Sequence, residues 1–262
     1  MTPVTVLPSR PVGRVETPGD PTPAPAASTE SGAVWTIVVA GGSGRRFGRA
    51  KQYEWIGPER MIDRSRRVAT DRSDGVVVVV PPDDVEREGG VAGGSTRSAS
   101  VRAGLAAVPA AAGVICVHDA ARPFAGPEVF DRVVAAVRGG ADAAIPAIPV
   151  TDTVKQIAPS AGTDHVGAVG GIDGVVGVVV ATPDRDLLVA VQTPQAFRAS
   201  RLREAHASGA EATDDAALVE AAGGTVVVVA GDVANRKITE PDDLAWAIEH
   251  QRRTSVETAA RP

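Results

Sequence analysis

The sequence predicts an α/β fold with a mostly parallel, doubly wound sheet. Three observations carry this: short β-branched runs recur along the chain, amphipathic segments made of helix formers lie between them, and glycine-rich loops with unusual polar residues follow the runs. Strands that alternate with helices wind into a parallel sheet through right-handed crossovers. Such sheets bind ligands beyond the carboxyl ends of their strands. With 262 residues, 44% of them hydrophobic, the chain is long enough for one sizeable core and short for two.

Residues 1–33 are rich in Pro, Ser, Thr and Gly (PTPAPAASTESG) and carry no apolar periodicity, so a disordered tail is expected there. The folded domain is expected over 34–250, with a flexible C-terminal tail over 251–262. Val34 to Val39 is an apolar, β-branched run bounded by glycines, as a strand buried on both faces would be. Similar runs follow at Val76 to Val80, Val114 to Val117, Ala143 to Ile148 and Val226 to Ala230. Helical spacing and good helix formers mark Met61 to Ala69, Ser98 to Val108, Glu128 to Val137 and Ser200 to Ser208. The Gly/Val-rich stretch from Ser160 to Ala181 holds one candidate strand, Val175 to Val180, in a possible hairpin.

Acidic residues outnumber basic ones 32 to 27, so the chain lacks the positive field of a protein that tracks a nucleic-acid backbone. A small anionic ligand held by a local basic cluster fits better. The lone Cys116, inside the apolar GVICV, allows neither a disulfide framework nor a cysteine metal site, and favours a reducing, cytoplasmic setting. No stretch approaches the ~20 apolar residues that span a bilayer, and the N-terminus lacks the apolar core of a signal peptide. A soluble chain with no membrane partner is expected.

After the first strand comes AGGSGRRFGRAKQY, Ala40 to Tyr53. Gly41 and Gly42 let backbone N–H groups turn inward into an anion-binding concavity, and Arg45, Arg46, Arg49 and Lys51 add charge. A tight strand-to-helix turn with solvated arginines would look similar, and the spacing is neither GxxxxGK[ST] nor GxGxxG. Next, GGSTRSASVRAGL (Gly93 to Leu105) offers small residues for close approach to a flat base and the Ser100 hydroxyl for a pyrimidine edge. A plain helix capped by Ser98 or Ser100 is the competing reading. ICVHDAARPF then places Asp119 and Arg122 directly after an apolar strand. A carboxylate there suits magnesium, which takes one or two carboxylates plus substrate phosphates; Arg122 could instead pair with Asp119. His118 reads as a structural hydrogen-bonding residue. Thr239 with Asp242 reads as a helix cap, whereas Lys237 has no such structural role.

These segments resemble the 2-C-methyl-D-erythritol 4-phosphate cytidylyltransferases of the non-mevalonate isoprenoid pathway. GGSGRRF with KQY, GG followed by RSASV, HDAARPF, DTVK, QTPQAF, TDDAALVE and NRKIT occur in order between about Val34 and Ile248. The resemblance implies a Rossmann-like nucleotidyltransferase sheet with a projecting β-arm within about 150–185. It also implies a homodimer whose arms exchange. It assigns Arg46, Lys51 and Lys237 to catalysis, and Ala40, Gly41, Gly42, Gly44, Gly94, Ser100, Asp119 and Ala120 to the nucleotide. Arg122, Thr153, Arg185, Thr193 and Thr213 would surround the acceptor, and Asp119 would hold Mg²⁺. The chain departs from the family pattern in a short loop between Phe47 and Lys51, in Ala50 where a proline is usual, and in the long 160–181 stretch.

The expected reaction is in-line attack by the acceptor phosphate on the α-phosphorus of CTP, releasing pyrophosphate. Because two anions must meet, positioning and charge neutralisation would supply most of the acceleration. Ribitol 5-phosphate as acceptor in the same fold, or a nucleotide-sugar-binding protein without turnover, are the alternatives.

Overall fold

A computed structural model describes residues 32–42, 47–48, 50–158 and 177–259. In chain order it runs β1 (Ala33–Val39), β2 (Trp55–Ile56), β3 (Glu59–Arg60), α1 (Met61–Asp71), β4 (Gly75–Val80), α2 (Val85–Glu88), β5 (Val91–Ala92), α3 (Arg97–Ala107), β6 (Ala112–Asp119), α4 (Pro127–Arg138) and β7 (Ala143–Pro149). The second half adds β8 (Gln156–Ala158), β9 (Val178–Ala181), β10 (Val189–Val191), β11 (Gln195–Arg198), α5 (Ala199–Ala207), α6 (Asp215–Ala221), β12 (Val226–Ala230) and α7 (Pro241–Ala259). Most of the expected N-terminal tail lies outside the described residues, and Ala33 already belongs to β1.

The main sheet has eight strands, ordered β10-β7-β11-β6-β1-β4-β5 with β12 on the other side of β7. The pairs β5–β4, β4–β1, β1–β6 and β12–β7 are parallel, as strands joined through helices must be. The short β11 is the exception at the centre: it runs antiparallel between β6 and β7, with Ala196 opposite both Cys116 and Ala144. The cis Thr193–Pro194 peptide joins it to β10, which continues along the same edge of β7.

Side chains alternate across this sheet, and each face buries one set. On one face Ile37, Val79, Ile115 and Val117 pack against Val101 and Leu105 of α3 and Leu202 of α5. On the other, Val38, Val78 and Val80 meet Ile62 of α1 and Phe130 of α4, while Val114 and Cys116 meet Val133 and Val137. Ile37, Ile115 and Leu202 are wholly buried, each contributing about 1.5–3 kcal/mol relative to exposure. Gly104 sets how closely α3 lies on the sheet, because a Cβ there would stand 2.6 Å from Ile37 Cγ2 and 3.0 Å from Val79 Cγ2.

Three expectations about helix ends are corrected. The cap of α3 is Thr96, whose hydroxyl accepts from Ala99 N at 3.0 Å, and Ser98 and Ser100 sit buried inside the helix. At α7 the capping carboxylate is Asp243, not Asp242; it accepts from Thr239 N, Thr239 Oγ1 and Glu240 N at 2.7–3.0 Å. The helix also continues to Ala259, where a flexible tail was expected from 251. Spacing explains this: Glu249 pairs with Arg252 and Arg253 at 2.9 and 2.7 Å, the i,i+3 and i,i+4 positions that support an exposed helix.

β8 and β9 form a separate antiparallel ladder at the place of the expected arm, and Val178, Val179 and Val180 are more than half exposed on it. Residues 159–176, which include most of the stretch expected to complete the arm, lie outside the described residues. Among the described residues no helix is long and apolar enough to cross a membrane.

Candidate active site

A cleft of about 630 Å³ opens at the carboxyl ends of β1 and β6, where a doubly wound sheet leaves its strand ends unroofed. Ala40, Gly41 and Gly42 enter it from the loop after β1, and Gly94 to Arg97 from the loop after β5. Lys51, Asp119 and Lys237 complete its charged lining. The loop after β5 owes its path to glycine and to one hydroxyl. A Cβ on Gly94 would come 2.4 Å from Ala99 Cβ, inside any tolerable contact. Ser100 Oγ accepts from Gly94 N at 3.2 Å and lies 2.9 Å from Thr96 O, so the hydroxyl expected to read a base also staples the loop to α3.

Asp119 ends β6 and is 8% exposed. Lys237 Nζ donates to its Oδ2 at 2.6 Å, and Arg97 Nε stands 3.4 Å from Oδ1. Burial pushes this carboxyl up, but Arg97 and then Lys237 outweigh burial and hold it well below the usual carboxylate range. Asp119 is therefore an anion at neutral pH. Arg97 was not among the residues expected at the site. Its signal was an arginine on the first helical turn after a GG loop, and its second partner, Asp215, lies more than a hundred residues away in sequence.

Lys51 Nζ donates to Ile238 O at 2.8 Å, which ties the loop after β1 to the segment that carries Lys237. Arg122 does not pair with Asp119 as had been considered; its guanidinium donates to the carbonyls of Asn235 at 2.8 Å and Val191 at 3.1 Å. Burial pushes its pKa down. His118 is structural, as read: it is 1% exposed, burial pushes its pKa down to about 4, and Nδ1 lies 3.1 Å from Thr193 Oγ1.

Several expected contacts lie off the cleft. Thr193 is buried, and its hydroxyl accepts from Asp119 N at 3.0 Å, so it supports the end of β6 from behind. Ala120 is 1% exposed, with N bonded to Val39 O and O accepting from Ser65 Oγ; both polar groups serve the fold. Thr213 is exposed one residue before Asp214, the cap of α6. Thr153 and Arg185 belong to the arm region, where Arg185 Nη1 donates to Thr151 O at 2.9 Å. None of these lines the cleft. Gly44 and Arg46 lie outside the described residues.

Among the described residues no group of three or more His, Cys, Asp or Glu side chains could hold a metal. Among the described residues Asp119 alone presents a carboxylate to the cleft, a donor that suits a magnesium ion with phosphate and water as its other ligands.

The profile of the family described as 2-C-methyl-D-erythritol 4-phosphate cytidylyltransferase matches residues 34–251. The chain is 39% identical over 231 residues to the protein of that name from Streptomyces coelicolor, covering 80% of this chain and 82% of that one. It is 46% identical over 229 residues to the bifunctional enzyme IspD/IspF of Anaeromyxobacter dehalogenans, covering 80% of this chain but 55% of the relative. The chain thus spans about half the length of the bifunctional relatives it matches. A crystal structure of the cytidylyltransferase from Thermus thermophilus superposes with a TM-score of 0.66 at 33% identity, covering 83% of this chain and 98% of that one.

Proposed function

We propose, from the premise that this chain belongs to the 2-C-methyl-D-erythritol 4-phosphate cytidylyltransferase family, that it transfers CMP from CTP to 2-C-methyl-D-erythritol 4-phosphate. The products are 4-diphosphocytidyl-2-C-methyl-D-erythritol and pyrophosphate. The observation that carries the reading is the convergence of Lys51, Arg97 and Lys237 on one cleft around the buried Asp119. A binding protein without turnover would not need a lysine held on a carboxylate at the point where phosphates meet.

The acceptor phosphate oxygen attacks the α-phosphorus of CTP as the bond to the pyrophosphate oxygen breaks, and no covalent enzyme intermediate forms. The backbone of Ala40 to Gly42 and the Lys51 ammonium hold the triphosphate, joined by Arg46 from the same loop. Lys237, 41% exposed, swings from Asp119 to the phosphates and follows the charge that develops on them. An ammonium suits this task because it acts as a point charge on a flexible stem. A magnesium ion held by Asp119 and the phosphates would neutralise further charge on the leaving group.

Arg122, Thr153, Arg185 and Thr213 are assigned to the acceptor, with Arg185 reaching it from a second copy of the chain across an arm-exchanged homodimer. A cytoplasmic setting is part of this reading, with which the buried free thiol of Cys116 is compatible. Steady-state pyrophosphate release with CTP and either 2-C-methyl-D-erythritol 4-phosphate or ribitol 5-phosphate tests the reading. It requires kcat/KM to be higher for the methylerythritol acceptor, and preference for ribitol 5-phosphate would overturn it.

A further inference from the structure

We infer that Arg97 is a positioning residue: anchored on the buried Asp215, its guanidinium keeps the Asp119 carboxylate in place when Lys237 leaves it for the phosphates. The inference rests on the proposed CMP transfer for its purpose, but its geometry is independent of any substrate. Two cations of unlike character lie within ion-pair distance of Asp119, and Arg122 acts on it from farther away. Lys237 reaches it from a loop with its side chain 41% exposed; Arg97 reaches it from α3 with 24% exposed and holds a second acid at the same time.

That second acid fixes the arginine. Arg97 Nη1 lies 2.8 Å from Asp215 Oδ2, shorter than the 3.4 Å from Nε to Asp119, so the guanidinium belongs first to Asp215. Asp215 has no exposed surface, and its other oxygen lies 3.0 Å from His206 Nε2 on α5. The neighbouring Asp214 caps α6 through Ala217 N at 3.0 Å and accepts from Gln195 Nε2 of β11 at 2.8 Å. Three elements thus converge to hold one guanidinium. Its planar fork presents separate N–H groups to the two carboxylates in a fixed geometry, whereas an ammonium is a single point charge on a flexible stem.

The consequence is electrostatic. A buried carboxylate stripped of its sole partner is strongly unfavourable, so a lysine that were Asp119's only counter-ion could not be released to substrate cheaply. With Arg97 fixed beside Oδ1, Lys237 departs and Asp119 remains compensated and oriented.

A stability cycle tests this without reference to turnover. Arg97→Gln alone strands Asp215 and could fail to fold, so the working background is Arg97→Gln with Asp215→Asn, which removes both charges together. Thermal melting is measured for the wild type, Lys237→Ala, the double variant and the triple variant. The fall in melting temperature caused by Lys237→Ala should be at least about twice as large in the double-variant background as in the wild type, as coupled neighbours behave. Equal falls would overturn the inference. The kinetic arm separates positioning from plain support: the folded double variant should lose about tenfold or more in kcat, with the KM for CTP changed less than about threefold. Arg97→Lys, which keeps the charge but loses the planar fork, should recover only part of the loss. A double variant with wild-type kcat would refute the role. If the wild type itself releases no pyrophosphate with any acceptor, the proposed reaction fails, and the melting cycle still decides the role of Arg97.

Discussion

Lys237→Ala should separate catalysis from stability, and the structure sets the size of each effect. The substitution removes a charge-assisted bond of 2.6 Å to Asp119, a class worth about 1.5–3 kcal/mol. The lower end applies, since the lysine is 41% exposed and Asp119 keeps Arg97 at 3.4 Å. At roughly 2–4 °C per kcal/mol for a domain of this size, the melting temperature should fall by about 3–6 °C. Catalysis should suffer far more. A cation that follows developing phosphate charge acts like an oxyanion donor, whose loss costs about 100- to 1000-fold in kcat. Pyrophosphate release at saturating CTP and acceptor, run beside a melting curve on the same preparation, measures both. A kcat within about fivefold of wild type would refute the assigned role. A melting temperature lowered by more than about 10 °C would show that the ion pair supports the fold instead.

Lys51→Ala should lower kcat by about 100-fold or more with a near-native melting curve; near-normal turnover would remove the loop after β1 from the chemistry. Asp119→Asn should raise the magnesium concentration needed for half-maximal rate, because the carboxylate charge is lost at almost constant shape; full activity of the wild type in excess chelator would exclude the metal. Gly104→Ala sets an overpacking cost of about 1–3 kcal/mol against a helix-propensity gain of about 1 kcal/mol, so the melting temperature should drop by a few degrees, and an increase would contradict the close approach to Ile37. Equal mixing of Lys51→Ala and Arg185→Ala subunits should restore about a quarter of wild-type activity if Arg185 completes the partner's site, since half the dimers become mixed and each has one intact site; no recovery after verified exchange would place Arg185 in its own chain's site or exclude an exchanged dimer.

What was legible in the sequence was local. The runs at Val34, Val76, Val114 and Ala143 became largely buried strands, as continuous apolar runs should; the run at Val226 also became a strand, but one at the sheet edge with Val228 55% exposed. Asp119 was legible because a charge at the very end of an apolar run has few structural reasons to be there, and Lys51 and Lys237 because they stand in the loops after such runs within segments that resemble the family's motifs. What stayed hidden was tertiary. β11 carries only four residues and no periodicity, so its insertion between β6 and β7 could not be read from Gln195 to Arg198 alone. Arg97 looked like an ordinary helix residue because its meaning lies in Asp215. Thr193 stood in a motif of the family, yet only the fold could reveal that its hydroxyl supports Asp119 from behind.

The placement of β11 also governs the order in which the chain can assemble. As synthesis proceeds, β1, β4, β5 and β6 can pair among themselves, since each neighbour precedes β7. β7 then emerges with no place beside β6, because the strand between them has yet to be made. Until Gln195 to Arg198 arrive, β6 presents an open apolar edge, with Val117, Cys116 and Ile115 unpaired on that side. Edges of this kind pair readily with the wrong strand or with another chain. A chain that folded as it was made would hold a half-built sheet until its second half closed, and chaperone dependence measured on stalled chains should then concentrate in that interval.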